Sequence, residues 1–224
     1  MRKLLSSAVI ALILAVALPG HAAEKKVGSV LFEIEQDGRV GFITVTGRVI
    51  VAPQFKKSSG KFREGFVRVE QDGKWGYLEN TGRLITPRYE DIDDFSEGLA
   101  RVKVARKWGY INYAGREAIA PRFEDAGDFH EGLARVKIDD RWGFIDIRGK
   151  LAVEPRYREV GNFSEGLARV KMEGKWGFID HSGRLAVNPL FDDADDYKNG
   201  LAKVKEDRKS GYVNKKGNMV WKEK

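Results

Sequence analysis

The sequence predicts an all-β protein built from about six copies of one unit, and three observations support this. Trp-Gly recurs at Trp75-Gly76, Trp108-Gly109, Trp142-Gly143 and Trp176-Gly177, with spacings of 33, 34 and 34 residues. Glycine is frequent, at 25 residues, and separates short apolar stretches. Between residues 23 and 224, no segment keeps an apolar period of 3.6 residues long enough for a stable helix. A fixed period of this size is typical of repeat architectures.

The repeated unit extends well beyond the Trp-Gly dipeptide. The segment Phe95-Ser-Glu-Gly-Leu-Ala-Arg-Val-Lys103 returns at 129–137 and 163–171, and more loosely at 62–70 and 197–205. Val40 and Ser210 stand in phase where Trp would be expected, and we interpret this as end capping, because solenoid arrays need atypical end units. The predicted organisation is a single domain, residues 23–224, with units at 28–61, 62–94, 95–128, 129–162, 163–196 and 197–224.

Each unit is predicted to hold three antiparallel strands. Dipeptides such as Asp72-Gly73 and Glu173-Gly174 suit the two-residue loop of a type I′ hairpin. If residues 139 and 140 form such a loop, Lys137 faces Trp142 and Arg135 faces Phe144. One face of the hairpin is then small and aliphatic, and the other pairs cations with aromatic rings.

Two further expectations concern the third strand and the Trp-Gly glycine. The third strand, for example 151–153, should end at Pro155, because proline cannot donate to a sheet. Glycine weakens a strand interior, so we expect a large ring from a neighbouring unit to lie across Gly143.

The units are predicted to form an open, solenoid-like array. The alternative is a closed six-bladed β-propeller. It comes second because a unit of about 34 residues is short beside the roughly 40–45 residues of a typical blade.

The first 22 residues have the pattern of a secretory signal peptide. Met1-Arg2-Lys3 is a basic start, residues 4–18 are uncharged and mostly apolar, and Pro19-Gly20 precedes small residues. We expect cleavage after Ala22 or Ala23. The apolar run is shorter than the roughly 20 residues that span a bilayer, so no integral membrane segment is expected after cleavage. The predicted location is the periplasm or the exterior.

The recurring Glu-Gly-Leu-Ala-x-Val-Lys and Lys-Trp-Gly-Phe-Ile-Asp segments resemble the WG-repeat (KWG-repeat) family of bacterial proteins. The resemblance covers roughly residues 28–222. It implies a structural or binding module of the bacterial envelope or of secreted proteins, and it brings no shared catalytic residues. The first and last units depart from the family at the Trp itself.

Catalytic chemistry finds little support in the sequence. Cysteine is absent, which excludes disulfides, thiolate metal sites and cysteine nucleophiles. Past the signal peptide only His130 and His181 remain, in different units, and no phosphate loop, HExxH motif or triad is present. We therefore expect no enzyme, no catalytic residue and no cofactor. A glycan-acting enzyme using paired carboxylates is the remote alternative.

Acidic segments recur at 90–94, 124–128 and 192–196. Clustered carboxylates can hold Ca²⁺. The Asp-rich spacings of known calcium loops are absent, and the fifth unit has Arg158-Glu-Val-Gly-Asn162 instead. The prediction is therefore solvated turn carboxylates and no metal.

The four Trp-Gly pairs are interpreted as a structural signature, with each Trp burying a large area in the core or between units. The alternative is an aromatic and basic strip that stacks on sugar rings, which would make the protein carbohydrate-binding. If the Trp rings are structural, the ligand surface falls on the more variable loops at 56–61, 90–94, 124–128, 158–162 and 192–196.

The charge suggests the kind of partner. The formal net charge of +7 falls to +5 when Arg2 and Lys3 are removed with the signal peptide. Outside the cytoplasm such an excess favours an anionic envelope polymer or a protein partner, and no nucleic acid. In-phase strand cations form a candidate binding ladder: Arg101, Lys103, Arg135, Lys137, Arg169 and Lys171. The predicted protein is a monomeric, exported, non-catalytic binding or scaffold module.

Overall fold

The computed structural model describes residues 30–224, and regular structure in this range consists of β-strands in six antiparallel sheets that follow one another along the chain. The first sheet has three strands and each of the others has four. The predicted all-β class and the count of about six units are confirmed. The predicted three-strand unit gains a short strand ahead of its hairpin in sheets two to six. The predicted signal peptide, residues 1–22, lies outside the described range.

The strands, grouped by sheet, have the following bounds. Sheet one holds β1 (Leu31–Gln36), β2 (Arg39–Thr44) and β3 (Val49–Phe55); sheet two holds β4 (Lys57–Ser58), β5 (Phe66–Gln71), β6 (Lys74–Glu79) and β7 (Leu84–Tyr89). Sheet three holds β8 (Asp91–Ile92), β9 (Leu99–Val104), β10 (Lys107–Asn112) and β11 (Glu117–Phe123); sheet four holds β12 (Asp125–Ala126), β13 (Leu133–Ile138), β14 (Arg141–Asp146) and β15 (Leu151–Tyr157). Sheet five holds β16 (Val160–Ser164), β17 (Leu167–Met172), β18 (Lys175–Asp180) and β19 (Leu185–Phe191); sheet six holds β20 (Asp193–Ala194), β21 (Leu201–Glu206), β22 (Lys209–Asn214) and β23 (Met219–Lys222).

The predicted hairpin register is confirmed in sheet four. Lys137 pairs with Trp142, and Arg135 pairs with Phe144. The loop residues Asp139 and Asp140 both have positive φ, at 47° and 59°, as a type I′ turn requires. The same register holds in the other sheets, because turn type and alternation fix it together.

The third strand differs from the prediction. β15 does not end at Pro155 but continues to Tyr157, and its pairing with β14 shifts between Trp142 and Phe144, which marks a β-bulge. A bulge leaves backbone groups outside the ladder, and it therefore accommodates a proline.

The bulge also explains the Trp-Gly glycine. A Cβ on Gly143 would lie 2.5 Å from the carbonyl oxygen of Val153 and 2.7 Å from the nitrogen of Pro155. The expectation that a ring from a neighbouring unit lies across Gly143 was wrong, because the backbone of the third strand of the same sheet fills this space. Gly76, Gly109 and Gly177 meet the corresponding backbone in their own sheets.

Consecutive sheets pack face to face. Each of the five buried apolar clusters combines residues from two consecutive sheets. In the cluster between sheets three and four, Trp108 and Tyr110 from the aromatic face of sheet three meet Ala134 and Val136 from the aliphatic face of sheet four. The two faces predicted for one hairpin therefore serve two different interfaces.

The array is open. Among residues 30–224, no buried cluster joins sheet six to sheet one. We call the aliphatic face of sheet one the head face; by strand alternation it carries Val30, Phe32, Ile34, Ile43 and Val45. We call the aromatic face of sheet six the tail face; it carries Lys203, Lys205, Ser210, Tyr212 and Trp221. Phe32 is 48% exposed and Trp221 is 54% exposed, so the predicted open array is confirmed over the propeller.

Candidate binding surface

The Trp residues of the repeat signature lie between sheets. Trp108 and Trp176 are buried, each 7% exposed, and Trp75 and Trp142 are half-buried against their clusters. In sheet six Ser210 occupies the same position and carries no ring. The indole rings therefore contribute to the interfaces.

The arginines of the predicted ladder connect neighbouring sheets. Arg135 lies over the Trp142 ring, 5.4 Å from its centroid, and donates to the carbonyl oxygen of Val160 in the next sheet at 3.1 Å. Arg101 and Arg169 make the equivalent contacts with the carbonyl oxygens of Ala126 and Ala194.

The partner ring of these arginines differs from the expectation. Register placed Arg135 opposite Phe144, but Phe144 is fully buried in the interface with sheet five. The guanidinium group reaches diagonally over Trp142 because this path also leads to the next sheet. An isolated cation–aromatic contact of this kind contributes about 0.5–1 kcal/mol at exposed sites.

Each bridging arginine except one also meets a carboxylate. Arg68 Nε lies 3.0 Å from Asp94, Arg101 Nε 3.3 Å from Asp128 and Arg169 Nε 3.0 Å from Asp196. At the corresponding place near Arg135 stands Asn162, which carries no charge. Burial raises the pKa of Asp128, and the nearby Arg101 opposes this rise.

The lysines of the ladder lie closer to solvent but also have partners. Lys103 and Lys171 lie over Trp108 and Trp176, both at 5.4 Å. Lys137 donates to Asp140 at 2.8 Å, and this bond raises the pKa of the lysine. Lys171 also bonds Glu159 at 2.7 Å. The six ladder residues are thus brought onto equivalent positions, where they make intramolecular contacts.

A second set of contacts between sheets was missed by the sequence analysis. Glu97 accepts the backbone N–H groups of Glu131 and Gly132 in the next sheet, at 2.7 and 2.8 Å. Glu165 likewise accepts those of Asn199 and Gly200, at 2.5 and 2.9 Å. The Gly200 bond, followed by contacts with Lys215 and Asn199, lowers the pKa of Glu165. The recurring Ser-Glu-Gly segment carried this signal, but its partner lies one full period away.

The acidic segments serve as hydrogen-bond acceptors. Asp91, Asp125 and Asp193 each accept the N–H of the following residue. Glu124 and Asp192 accept N–H groups from the hairpin turns of their own sheets. In residues 30–224 no group of three His, Cys, Asp or Glu side chains is placed to hold a metal ion. The segments predicted as variable ligand loops instead contain the short edge strands.

The two histidines lie apart. His181 stacks on Phe163 with ring centroids 4.5 Å apart, and its Nε2 is 3.2 Å from Glu131. The neighbouring Ser182 hydroxyl donates to Asp180 at 2.6 Å, which closes the turn and lowers the pKa of that carboxyl group. His130 is half-buried in sheet four.

A different row of cations lies at one edge of the array. In every sheet a turn follows the strand that carries Trp-Gly or its substitute. The last residue of that strand donates its backbone N–H to the carbonyl oxygen of the residue four positions later. Five of these six positions are basic and exposed: Arg48, Arg83, Arg116, Lys150 and Arg184. Apart from Arg83, which bonds Glu79, their side chains form no ion pair with any described residue. We call these five residues the turn-cation row. Gly-Arg and Gly-Lys recur in phase, so the sequence held the signal.

The tandem sheets and their repeated interfaces define a β-repeat array. The chain belongs to the family of WG-containing repeats, whose model matches residues 41–75, 75–108, 108–142, 142–176 and 176–209. A comparison with curated proteins gave no significant match. In the part of the chain that the structure describes, no helix has the length and apolarity to cross a membrane.

The chain is similar to solved structures at low identity. The chain is similar to a eukaryotic initiation factor, with 12% identity, a TM-score of 0.52, and coverage of 86% of this chain and 62% of that one. Hsv2p from Kluyveromyces lactis, a propeller protein, has 11% identity, a TM-score of 0.49, and coverage of 82% and 70%. The same yeast protein with loop 6CD replaced by a Gly-Ser linker has 10% identity, a TM-score of 0.47, and coverage of 71% and 62%. The chain therefore spans about three-fifths of the length of two of these structures.

Proposed function

We propose that this protein is an exported, non-catalytic binding module that takes an anionic envelope polymer along its turn-cation row. The row supports the proposal because its members occupy the same turn position in successive sheets. Packed sheets lie about 10 Å apart, so the row offers positive charge at a regular interval. A polymer with repeating negative charge can match such an interval, whereas a compact ligand meets only one or two of the cations.

The strand ladder, by contrast, is a weaker candidate for this role. Its arginines are directed into the interfaces and its lysines cover Trp rings or pair with carboxylates. A ligand that recruited them would first have to break contacts between sheets. The turn cations are available without such a cost, apart from Arg83, which bonds Glu79 and the carbonyl oxygen of Tyr113 in the next sheet.

Charge reversal tests the proposal. A variant carrying Arg116→Glu, Lys150→Glu and Arg184→Glu should lose retention on a sulfated-polysaccharide column and keep the far-UV circular dichroism and the melting temperature of the wild type. The matched control reverses three exposed cations at the opposite end of the sheets, Lys107, Arg141 and Lys209, and should keep its retention. Wild-type retention should weaken as salt rises, because exposed charges are screened within about 8 Å at physiological ionic strength.

Three results would contradict the proposal. Equal loss in both triple variants would mean that only net charge matters. The strand ladder would be the binding surface if retention survived reversal of the turn cations but was lost in an Arg135→Glu, Arg169→Glu variant of unchanged stability. Retention on immobilised poly-glutamate but not on the polysaccharide would favour an acidic protein partner.

Export is the second part of the proposal, and it rests on the pattern of residues 1–22. The mature protein should begin at Ala23 or Glu24 and be recovered outside the cytoplasm. Intact-mass measurement of the exported protein checks this, and a mass that retains Met1 would contradict it.

A further inference from the structure

The head and tail faces carry the residues that other sheets bury. The positions equivalent to Phe32 are Val67, Ala100, Ala134, Ala168 and Ala202, and each is at most 1% exposed. Tyr212 is 38% exposed, whereas the equivalent Tyr110 and Phe144 are at most 1% exposed. Trp221 is 54% exposed, and the equivalent Val153 is 3% exposed. The end capping that we inferred from Val40 and Ser210 is therefore incomplete, because apolar side chains remain exposed on both end faces.

The internal interfaces show what each face binds. At all five of them the aromatic face of one sheet receives the aliphatic face of the following sheet. The tail face is an aromatic face of this kind, and the head face is an aliphatic face. The two end faces of one molecule are therefore the two halves of an interface that the chain already forms internally.

The substitutions at the two ends are complementary in size. On the tail face Ser210 replaces the Trp of the internal sheets and borders a cavity of about 360 Å³, which is also lined by Lys203 and Lys205. On the head face Phe32 replaces the Ala or Val of the internal sheets. The joint interface would thus lose the ring of the Trp position and gain the rings of Phe32 and Trp221.

We infer that the tail face of one molecule binds the head face of a second copy, so that the stack of sheets continues from molecule to molecule. Such a contact is heterologous, since it joins two different surfaces, and it leaves a free head and a free tail at the ends of every assembly. The sequence alone favours a monomer, and the two complementary end faces are the reason for this different conclusion.

Two single variants and their mixture test the inference. Phe32→Lys places a charge on the head face and should abolish its binding, and Trp221→Lys does the same to the tail face. Both residues are about half exposed, so folding should persist. In sedimentation velocity, the wild type should show an average mass that rises with concentration beyond that of a dimer, and each variant alone should stay monomeric. An equimolar mixture should form a dimer and nothing larger, because the intact tail of the head variant can bind only the intact head of the tail variant. Leu190→Lys, at an exposed position outside both faces, is the control and should associate as the wild type does.

Several outcomes would overturn the inference. A wild type that remains monomeric at every concentration would do so, and so would association that survives in either single variant. A wild-type assembly that stops at two copies would indicate an isologous interface instead. The assay contains no ligand, so its result is independent of the polymer binding proposed above.

Discussion

The interfaces inside the array and its two end faces use the same residue positions in different surroundings. At the internal interfaces Tyr110, Phe144 and Phe178 are covered by the next sheet, each at most 1% exposed, and the bridging arginines and Glu acceptors hydrogen-bond to that sheet. At the ends, Tyr212, Trp221 and Phe32 occupy equivalent positions and remain in contact with solvent. The same repeat position therefore contributes differently to the free energy of unfolding, depending on whether another sheet covers it.

The largest expected difference in stability is between substitutions of Phe144 and Tyr212, which occupy the same position in two different sheets. Phe144→Ala should lower the free energy of unfolding by about 3–5 kcal/mol, because a fully buried ring is removed from the interface of sheets four and five. Tyr212→Ala should cost no more than about 1 kcal/mol, because its ring lies on the uncovered tail face and is 38% exposed. Urea denaturation of both variants measures the difference, and equal losses would contradict the contrast between interior and end.

The Trp-Gly glycine should show a smaller contrast of the same kind. Gly143→Ala places a methyl group against the backbone of the bulge, which cannot move away without disturbing β15, and should cost about 1–3 kcal/mol. At the tail, a Cβ on Gly211 would lie 2.7 Å from the Met219 sulfur, in a flexible side chain, and 2.8 Å from the backbone carbonyl oxygen of Trp221, in β23. The tail face is not covered by a further sheet, so the backbone of β23 can shift at a lower cost than that of β15. The melting temperature of Gly211→Ala should therefore be closer to that of the wild type than the melting temperature of Gly143→Ala is. The opposite order of melting temperatures would show that the bulge is not what excludes a side chain.

A gain of stability is expected at the interface of sheets four and five. Asn162→Asp should give Arg135 the carboxylate that the other bridging arginines possess, and should raise the free energy of unfolding at pH 7 by about 0.5–1 kcal/mol. The matched change, Asp196→Asn, should destabilise by a similar amount. If Asn162→Asp destabilises the protein, desolvation of the new charge outweighs its attraction to Arg135.

The smallest effect concerns the pH dependence of stability. The folded-state pKa of Glu165 lies below its ordinary value of 4.5, so its contribution is present above that pH and is lost as the pH falls through the folded value. Glu165→Gln should consequently flatten the decline of melting temperature between about pH 5 and pH 3. An unchanged slope in Glu165→Gln would contradict the role of this carboxylate.

The sequence predicted those features that depend on neighbours within one hairpin. The pairing of Lys137 with Trp142 follows from local turn chemistry and strand alternation, both of which act over a few residues. The repeat period itself made the number of sheets predictable.

Features that depend on a contact one period away were not predictable in this way. The Glu97 carboxylate binds backbone groups of residues 131 and 132, which carry no side-chain signal of their own. The bulge at Pro155 was missed because proline commonly ends a strand, and here the irregular pairing accommodates it. The direction of Arg135 was missed because register gives the facing residue but not the reach of a long side chain. The turn-cation row, in contrast, was readable from its recurring Gly-Arg and Gly-Lys pairs.

Deletion of residues 129–162 is the measurement that tests the open array most directly. This segment is one full period, and its removal joins Asp128 to Phe163 in the same phase as in the native chain. In an open array whose sheets touch only their neighbours, stability is close to a sum of nearest-neighbour terms. The shortened protein should therefore be monodisperse under conditions that suppress end-to-end contact, keep its β-sheet circular dichroism and unfold cooperatively at a somewhat lower denaturant concentration. Loss of cooperative unfolding would show that the sheets depend on a closed ring with a fixed number of members, and would contradict the account.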